Sequence, residues 1–167
     1  MATEKEARSS PKKRAGTAKE TASGVAAGRK SKAVSGAATN IERLIREDSA
    51  ESGLKPADIK KLGRRPSTKA DLRKTKFPAG FGMPDAYQIP YFDIDGKQLR
   101  YERTKFIGGK YRQPTGSRPH LYFSPLLRKK WRTVVKNPKV RIYWSEGEKK
   151  SDAACRVGIP TVSVGGC

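Results

Sequence analysis

Residues 140–166 read VRIYWSEGEKKSDAACRVGIPTVSVGG, and this stretch decides the fold. Val140, Ile142 and Trp144 alternate with Arg141 and Tyr143, which is the two-residue period of a strand. The chain then turns at Glu146-Gly147. Five polar residues from Glu148 to Asp152 lead into Ala153, Ala154, Cys155 and Val157, a pattern that predicts a helix closed by Gly158 as a left-handed cap. Ile159 to Val164 reads as a second strand, with Pro160 at its start and Gly165-Gly166 at its end. Strand, helix and strand in this order predict a crossover between parallel strands. In open parallel sheets the ligand crevice lies outside the carboxyl ends of the strands. Glu146 stands at such an end, where a carboxylate can meet a metal or a reacting phosphate.

Working outward, the preceding segment reads as antiparallel. Tyr87, Ile89, Tyr91 and Phe92 precede Asp95-Gly96, and Leu99, Tyr101 and Phe106 follow, so strands are expected near 88–93 and 98–106 with a hairpin turn between them. Gly108, Gly109, Pro114, Gly116 and Pro119 mark a long irregular connection. Leu121, Tyr122 and Phe123 form an apolar patch that tucks it against the core, with His120 read as a structural histidine. Further upstream, Ile41, Leu44 and Ile45 recur at helical spacing behind Asn40, read as an N-cap. A second helix is expected over 55–62, with Pro56 in its first turn and Gly63 as its stop. Thr68 and Asp71 are spaced as a capping box for a third. Residues 1–40 carry almost no large aliphatic side chains and read as a disordered basic tail.

The chain has 37 Lys plus Arg against 16 Asp plus Glu, a formal charge of +21 on 167 residues. Neutralising phosphates relieves such self-repulsion and releases condensed counterions, so a polyanion is the expected partner. Between Lys97 and Arg141 there are fourteen basic residues and one acid, Glu102. Arg112, Arg118, the run Arg128-Lys129-Lys130 and Arg132 are the expected nucleic-acid contacts. They are interleaved with Tyr101, Tyr111, Tyr122, Phe123 and Trp131, which read either as stacking platforms for bases or as core. Two cysteines and one histidine supply neither a disulfide framework nor a zinc site. No apolar run is long enough to span a bilayer, and the N-terminus lacks the apolar stretch of a signal peptide, so the expectation is a cytoplasmic protein without a membrane partner.

The run from Ser145 through Glu146, Gly147, Glu148, Lys149, Lys150 and Asp152, followed by Gly158-Ile159-Pro160 and Gly165-Gly166, resembles the Glu-Gly signature and first crossover of TOPRIM domains. More narrowly, it is similar to the TOPRIM-like module at the front of phage, plasmid and prophage replication proteins, in which a primase-like half precedes a helicase. The resemblance spans residues 48–167. It implies that Glu146 is the general acid or base of metal-dependent phosphoryl transfer, or a ligand of Mg²⁺ or Mn²⁺, which prefer hard oxygen donors. It also implies that Lys149 and Lys150 face phosphates. Glu148 and Asp152, part of the same motif, read from their place in the first helical turn as partners of the helix dipole.

TOPRIM sites need a later Asp-x-Asp pair, and none follows Glu146 before Cys167. Asp93-Ile94-Asp95 has the spacing but lies upstream. The expectation is therefore a partial TOPRIM-like unit, with an incomplete active site, in a mobile-element replication protein whose missing partner is a helicase. The expected architecture is a disordered tail (1–40), short basic helices (41–80), a β-hairpin with an irregular basic segment (81–138) and a partial βαβ unit (139–167). The residues leave two other functions open: a non-catalytic module for single-stranded nucleic acid, and a basic ribosome-associated RNA-binding protein.

Overall fold

The computed structural model describes residues 31–78 and 82–165 and shows a mixed α+β chain with five α-helices and two sheets. Most of the expected tail, residues 1–30, lies outside the described residues. Helix α1 (Ser31–Ala50) starts upstream of the predicted cap, so Asn40 is inside the helix and its side-chain oxygen accepts a hydrogen bond from Arg43. Helix α2 (Pro56–Leu62) has proline in its first turn and ends on Gly63 at φ 65°, where a side chain would be strained. Helix α3 (Lys69–Lys74) opens on the predicted box: Thr68 Oγ1 accepts from the Asp71 amide, and the Asp71 carboxylate accepts from the Thr68 amide.

The first sheet contains β1 (Arg65–Pro66), β2 (Ala86–Phe92), β3 (Gln98–Phe106) and β4 (Tyr111–Arg112), antiparallel throughout and in that order. The hairpin β2–β3 falls where Asp95-Gly96 predicts it. Asp93 Oδ1 accepts from the amides of Asp95 and Lys97 at 2.9 and 2.8 Å, which explains the Asp-x-Asp spacing as a turn clamp. Every residue of β2 is buried. Tyr87, Ile89 and Tyr91 meet Ile45, Tyr101 and Tyr122 in one core, while Gln88 is hydrogen-bonded to Ser67 and Thr104.

The second sheet has the order β5-β7-β6, with β5 (Leu121–Phe123) antiparallel to β7 (Thr161–Val164) and β6 (Tyr143–Ser145) parallel to it. Helix α5 (Glu148–Arg156) connects β6 to β7, giving the expected parallel strand-helix-strand unit. Three details differ from the sequence reading. Leu121 to Phe123 is a strand in its own right, because Tyr122 pairs in register with Ser163. Residues 125–136 are not irregular: a 3-10 turn (Pro125–Leu127) leads to α4 (Trp131–Lys136). Val140 and Ile142 lie before β6 and pack with Leu127, Trp131, Val134, Cys155 and Val162 in a second core. Leu127, Trp131 and Val134 recur at helical spacing and are buried together, and Trp131 donates its indole N–H to the Ser124 carbonyl at 2.9 Å, which fixes this helix.

Candidate nucleic-acid interface

Gly147 caps α5 in an extended conformation, and the chain around it divides the charged residues of the Glu-Gly signature between solvent and core. Glu146 points outward, with its side chain 78% exposed and paired to Lys150 one helical turn on. That cation holds its carboxyl below the usual range. Lys149 turns back to α1, where its Nζ lies 2.9 Å from Asp48 Oδ1 and 3.7 Å from Glu51 Oε2. Of the two lysines that the resemblance assigned to phosphate, Lys149 is held by these carboxylates, while Lys150 stays exposed in its surface pair with Glu146.

Glu148 and Asp152, read as surface partners of the helix dipole, are instead completely buried. With Ser151 and Cys155 they form a polar stripe along the inward face of α5, at a spacing of three and four residues. Two arginines from upstream elements, Arg64 directly before β1 and Arg103 on β3, account for it. Arg64 donates to Asp152 at 2.6 Å and to Ser49 at 2.6 Å, and Arg103 donates to Glu148 at 2.7 Å. Tyr91 donates to Glu148 at 2.5 Å, while Tyr122 and Ser124 donate to Asp152 at 2.8 and 2.7 Å. Burial pushes the Asp152 carboxyl up to about 6 against the pull of Arg64 and the two hydroxyls. The Tyr91 hydroxyl is also pushed up, by burial and by the adjacent Glu148 carboxylate. Charge this deep requires partners, because each unpaired ion in the interior costs several kcal/mol. Four atoms of the buried polar set still lack one: Arg64 Nε, Arg103 Nε, Glu148 Oε2 and Ser163 Oγ.

This arrangement does not fit Mg²⁺ or Mn²⁺. The carboxylates around the turn are engaged by Lys150, Arg103 and Arg64, and among the described residues no three His, Cys, Asp or Glu side chains converge as a cation site would require. Asp95 is taken as well, by Arg132.

The positive face lies elsewhere. Arg128, Lys129 and Lys130 enter α4 from the 3-10 turn, Arg132 and Lys136 lie on its outer side, and Lys139 and Arg141 continue toward β6; all seven are exposed. Among the described residues only Arg132 of these seven has an ion pair, and a shallow depression of about 470 Å³ is lined by Arg132, Thr133, Lys136, Asn137 and Pro138. The stem of Arg128 crosses the hairpin turn so closely that a Cβ on Gly96 (φ 74°) would sit 2.2 Å from its Cγ. This contact ties the basic run to the first sheet. Arg112 and Arg118 are exposed too, and the Arg112 guanidinium lies 5.8 Å from the Phe106 ring centroid.

Of the interleaved aromatics, Tyr101, Tyr122 and Trp131 are core, and His120 lies 4.4 Å from the Tyr101 ring between centroids. Among the described residues the Trp, Tyr and Phe side chains most open to solvent are Trp144, 66% exposed, and Tyr143, 51% exposed, both on β6 directly after the cationic run. The sequence reading used them only as strand residues. Their position on an edge strand is what leaves them uncovered, and pattern alone does not reveal which strand is at the edge. Among the described residues no helix is long and apolar enough to cross a membrane. Compared with known proteins, the chain matches no family model, no curated protein and no solved structure.

Proposed function

We propose that this chain binds single-stranded nucleic acid on the α4 face, as the binding part of a TOPRIM-like, primase-type replication protein. The observation that carries the reading is the run of seven exposed cations, Arg128 to Arg141, followed directly along the chain by the exposed rings of Tyr143 and Trp144, which as neighbours on β6 offer one ring to each face of the sheet. Cations track a phosphate backbone, and rings give unpaired bases a surface on which to stack. A duplex offers the backbone but not the base faces, which is why the aromatic end favours single strands. The TOPRIM-like reading draws its support from the parallel β6-α5-β7 unit with Glu146-Gly147 at its turn. In this reading the described residues bind and position a strand. Phosphoryl transfer at Glu146 would require carboxylates beyond those around the turn, which are committed to arginine and lysine.

Fluorescence anisotropy with a labelled 30-nucleotide single strand, its duplex and a folded RNA hairpin of equal charge tests the proposal. The expected order is single strand ahead of duplex and hairpin, and Trp144→Ala should weaken the single strand by about 1–3 kcal/mol, the range for one stacked base. Equal affinity for all three with no effect of Trp144→Ala would replace this reading with a ribosome-type, backbone-only binder.

A further inference from the structure

A second basic cavity lies away from α4. It opens between α1, α2 and β1 with a volume of about 580 Å³, within the range of sites that take a nucleotide-sized ligand. Its apolar wall is made by Ile45, 3% exposed, with Ile59, Pro56 and Pro66. Arg46 and Lys60 stand at its mouth from α1 and α2, and neither side chain has an ion pair among the described residues. Arg65 lines it from β1 and Arg64 from the residue directly before that strand. Arg65 is committed to Asp71 and Glu102, and the buried Arg64 side chain to Asp152 and Ser49, which leaves its Nε without a hydrogen-bond partner. One acid, Glu42, completes the lining. Arg46 and Lys60, the two lining cations without an ion pair among the described residues, outnumber the one acid beside an apolar wall, which is the chemistry of a ligand that is anionic at one end and flat or apolar at the other.

We infer that this cavity binds a nucleoside phosphate, with the phosphate held by Arg46 and Lys60 and the base laid against Ile45, Ile59 and the two prolines. The same chemistry comes from two sources, a free nucleotide or the terminal nucleotide of a strand. The site does not depend on the α4 proposal, since it shares no residue with that face.

The full chain is titrated with N-methylanthraniloyl-labelled ATP and, separately, with a 5′-phosphorylated trinucleotide, while the δ1 methyl resonances of Ile45 and Ile59 are followed by NMR. The variant is Arg46→Glu with Lys60→Glu, both exposed positions, and its fold is checked by circular dichroism. Lys69→Gln with Lys110→Gln, exposed cations outside both surfaces, serves as the charge control, and Lys129→Gln with Lys130→Gln reports separately on the α4 face. Binding of labelled ATP that shifts both methyls, weakens by about tenfold or more in the double reversal and is unchanged in the control assigns the site to free nucleotide. The same pattern with the trinucleotide alone assigns it to a strand terminus. If neither probe is weakened by the reversal, or the shifted methyls lie elsewhere, the inference is overturned. The α4 reading is then judged by the Lys129 and Lys130 variant alone.

Discussion

Arg64 Nη2 lies 2.6 Å from Asp152 Oδ2 with both side chains wholly removed from solvent, and the pair joins two halves of the chain that are 88 residues apart in sequence. Breaking a buried pair from one side leaves an uncompensated charge, whereas replacing both partners with apolar groups does not. Arg64→Met and Asp152→Leu should therefore each destabilise the protein by about 3–5 kcal/mol, and the double substitution by less than the sum. Urea denaturation of the four proteins closes the cycle. Additive losses would show that the two side chains act independently.

The two glutamates of the Glu-Gly-Glu signature should behave in opposite ways. Glu146 is exposed and Glu148 is buried against Arg103 and Tyr91. Glu146→Gln should leave stability within about 0.5 kcal/mol, as surface changes do. Glu148→Gln should cost about 3 kcal/mol by leaving Arg103 without its counter-charge. Thermal melts of both proteins decide the matter, and a larger loss at Glu146 would contradict the structure.

Stability should carry a pH signature from Asp152. Its folded carboxyl titrates at about 6, above the ordinary value of 3.8. The folded state thus holds this proton more tightly than the unfolded chain, and the group's contribution to stability falls as pH rises from about 4 to 6. Asp71 works in the opposite sense, since Arg65 and the Thr68 cap hold its carboxyl well below the usual range; its contribution is present above the ordinary carboxylate pKa and is lost in acid. Subtracting the melting temperature of Asp152→Asn from that of the parent at each pH isolates the first effect. The difference should decrease from pH 4 to pH 6, and an increase would reverse the assignment.

Cap chemistry at α3 gives a smaller and cleaner effect. Thr68→Ala removes the hydroxyl that accepts the Asp71 amide at 3.2 Å and donates to its carboxylate at 2.8 Å. The expected loss is about 1 kcal/mol, read as a lowered denaturation midpoint with an unchanged slope. Thr68→Ser should restore most of it.

For the cationic face, the readout is salt dependence rather than affinity at one condition. Lys129→Gln, Lys130→Gln and Lys136→Gln together should lower the slope of log K against log salt by about 2, since each phosphate contact on a single strand contributes about 0.7. Lys149→Gln should leave that slope alone, because Lys149 is held by Asp48 and Glu51. An equal drop from Lys149→Gln would move the interface to the Glu-Gly turn.

The sequence by itself determined the local devices. The α2 stop at Gly63, the α3 box of Thr68 and Asp71 and the hairpin at Asp95-Gly96 arise from residues within a few positions of one another, and the parallel unit around Glu146-Gly147 follows from a strand-helix-strand succession in which backbone preference and hydrophobic period act directly. Overall charge likewise follows from composition, so the expectation of a polyanionic partner needed no fold. Tertiary structure alone decided which charges are available to such a partner. Glu148, Asp152, Arg64 and Arg103 read as surface residues by type, yet they are buried because each finds an opposite charge contributed by a distant element. Trp144, which by type belongs in a core, is exposed because β6 is the edge of its sheet. Burial of a charge depends on a partner and exposure of a ring depends on a missing neighbour, and both are relations between elements that no local pattern encodes.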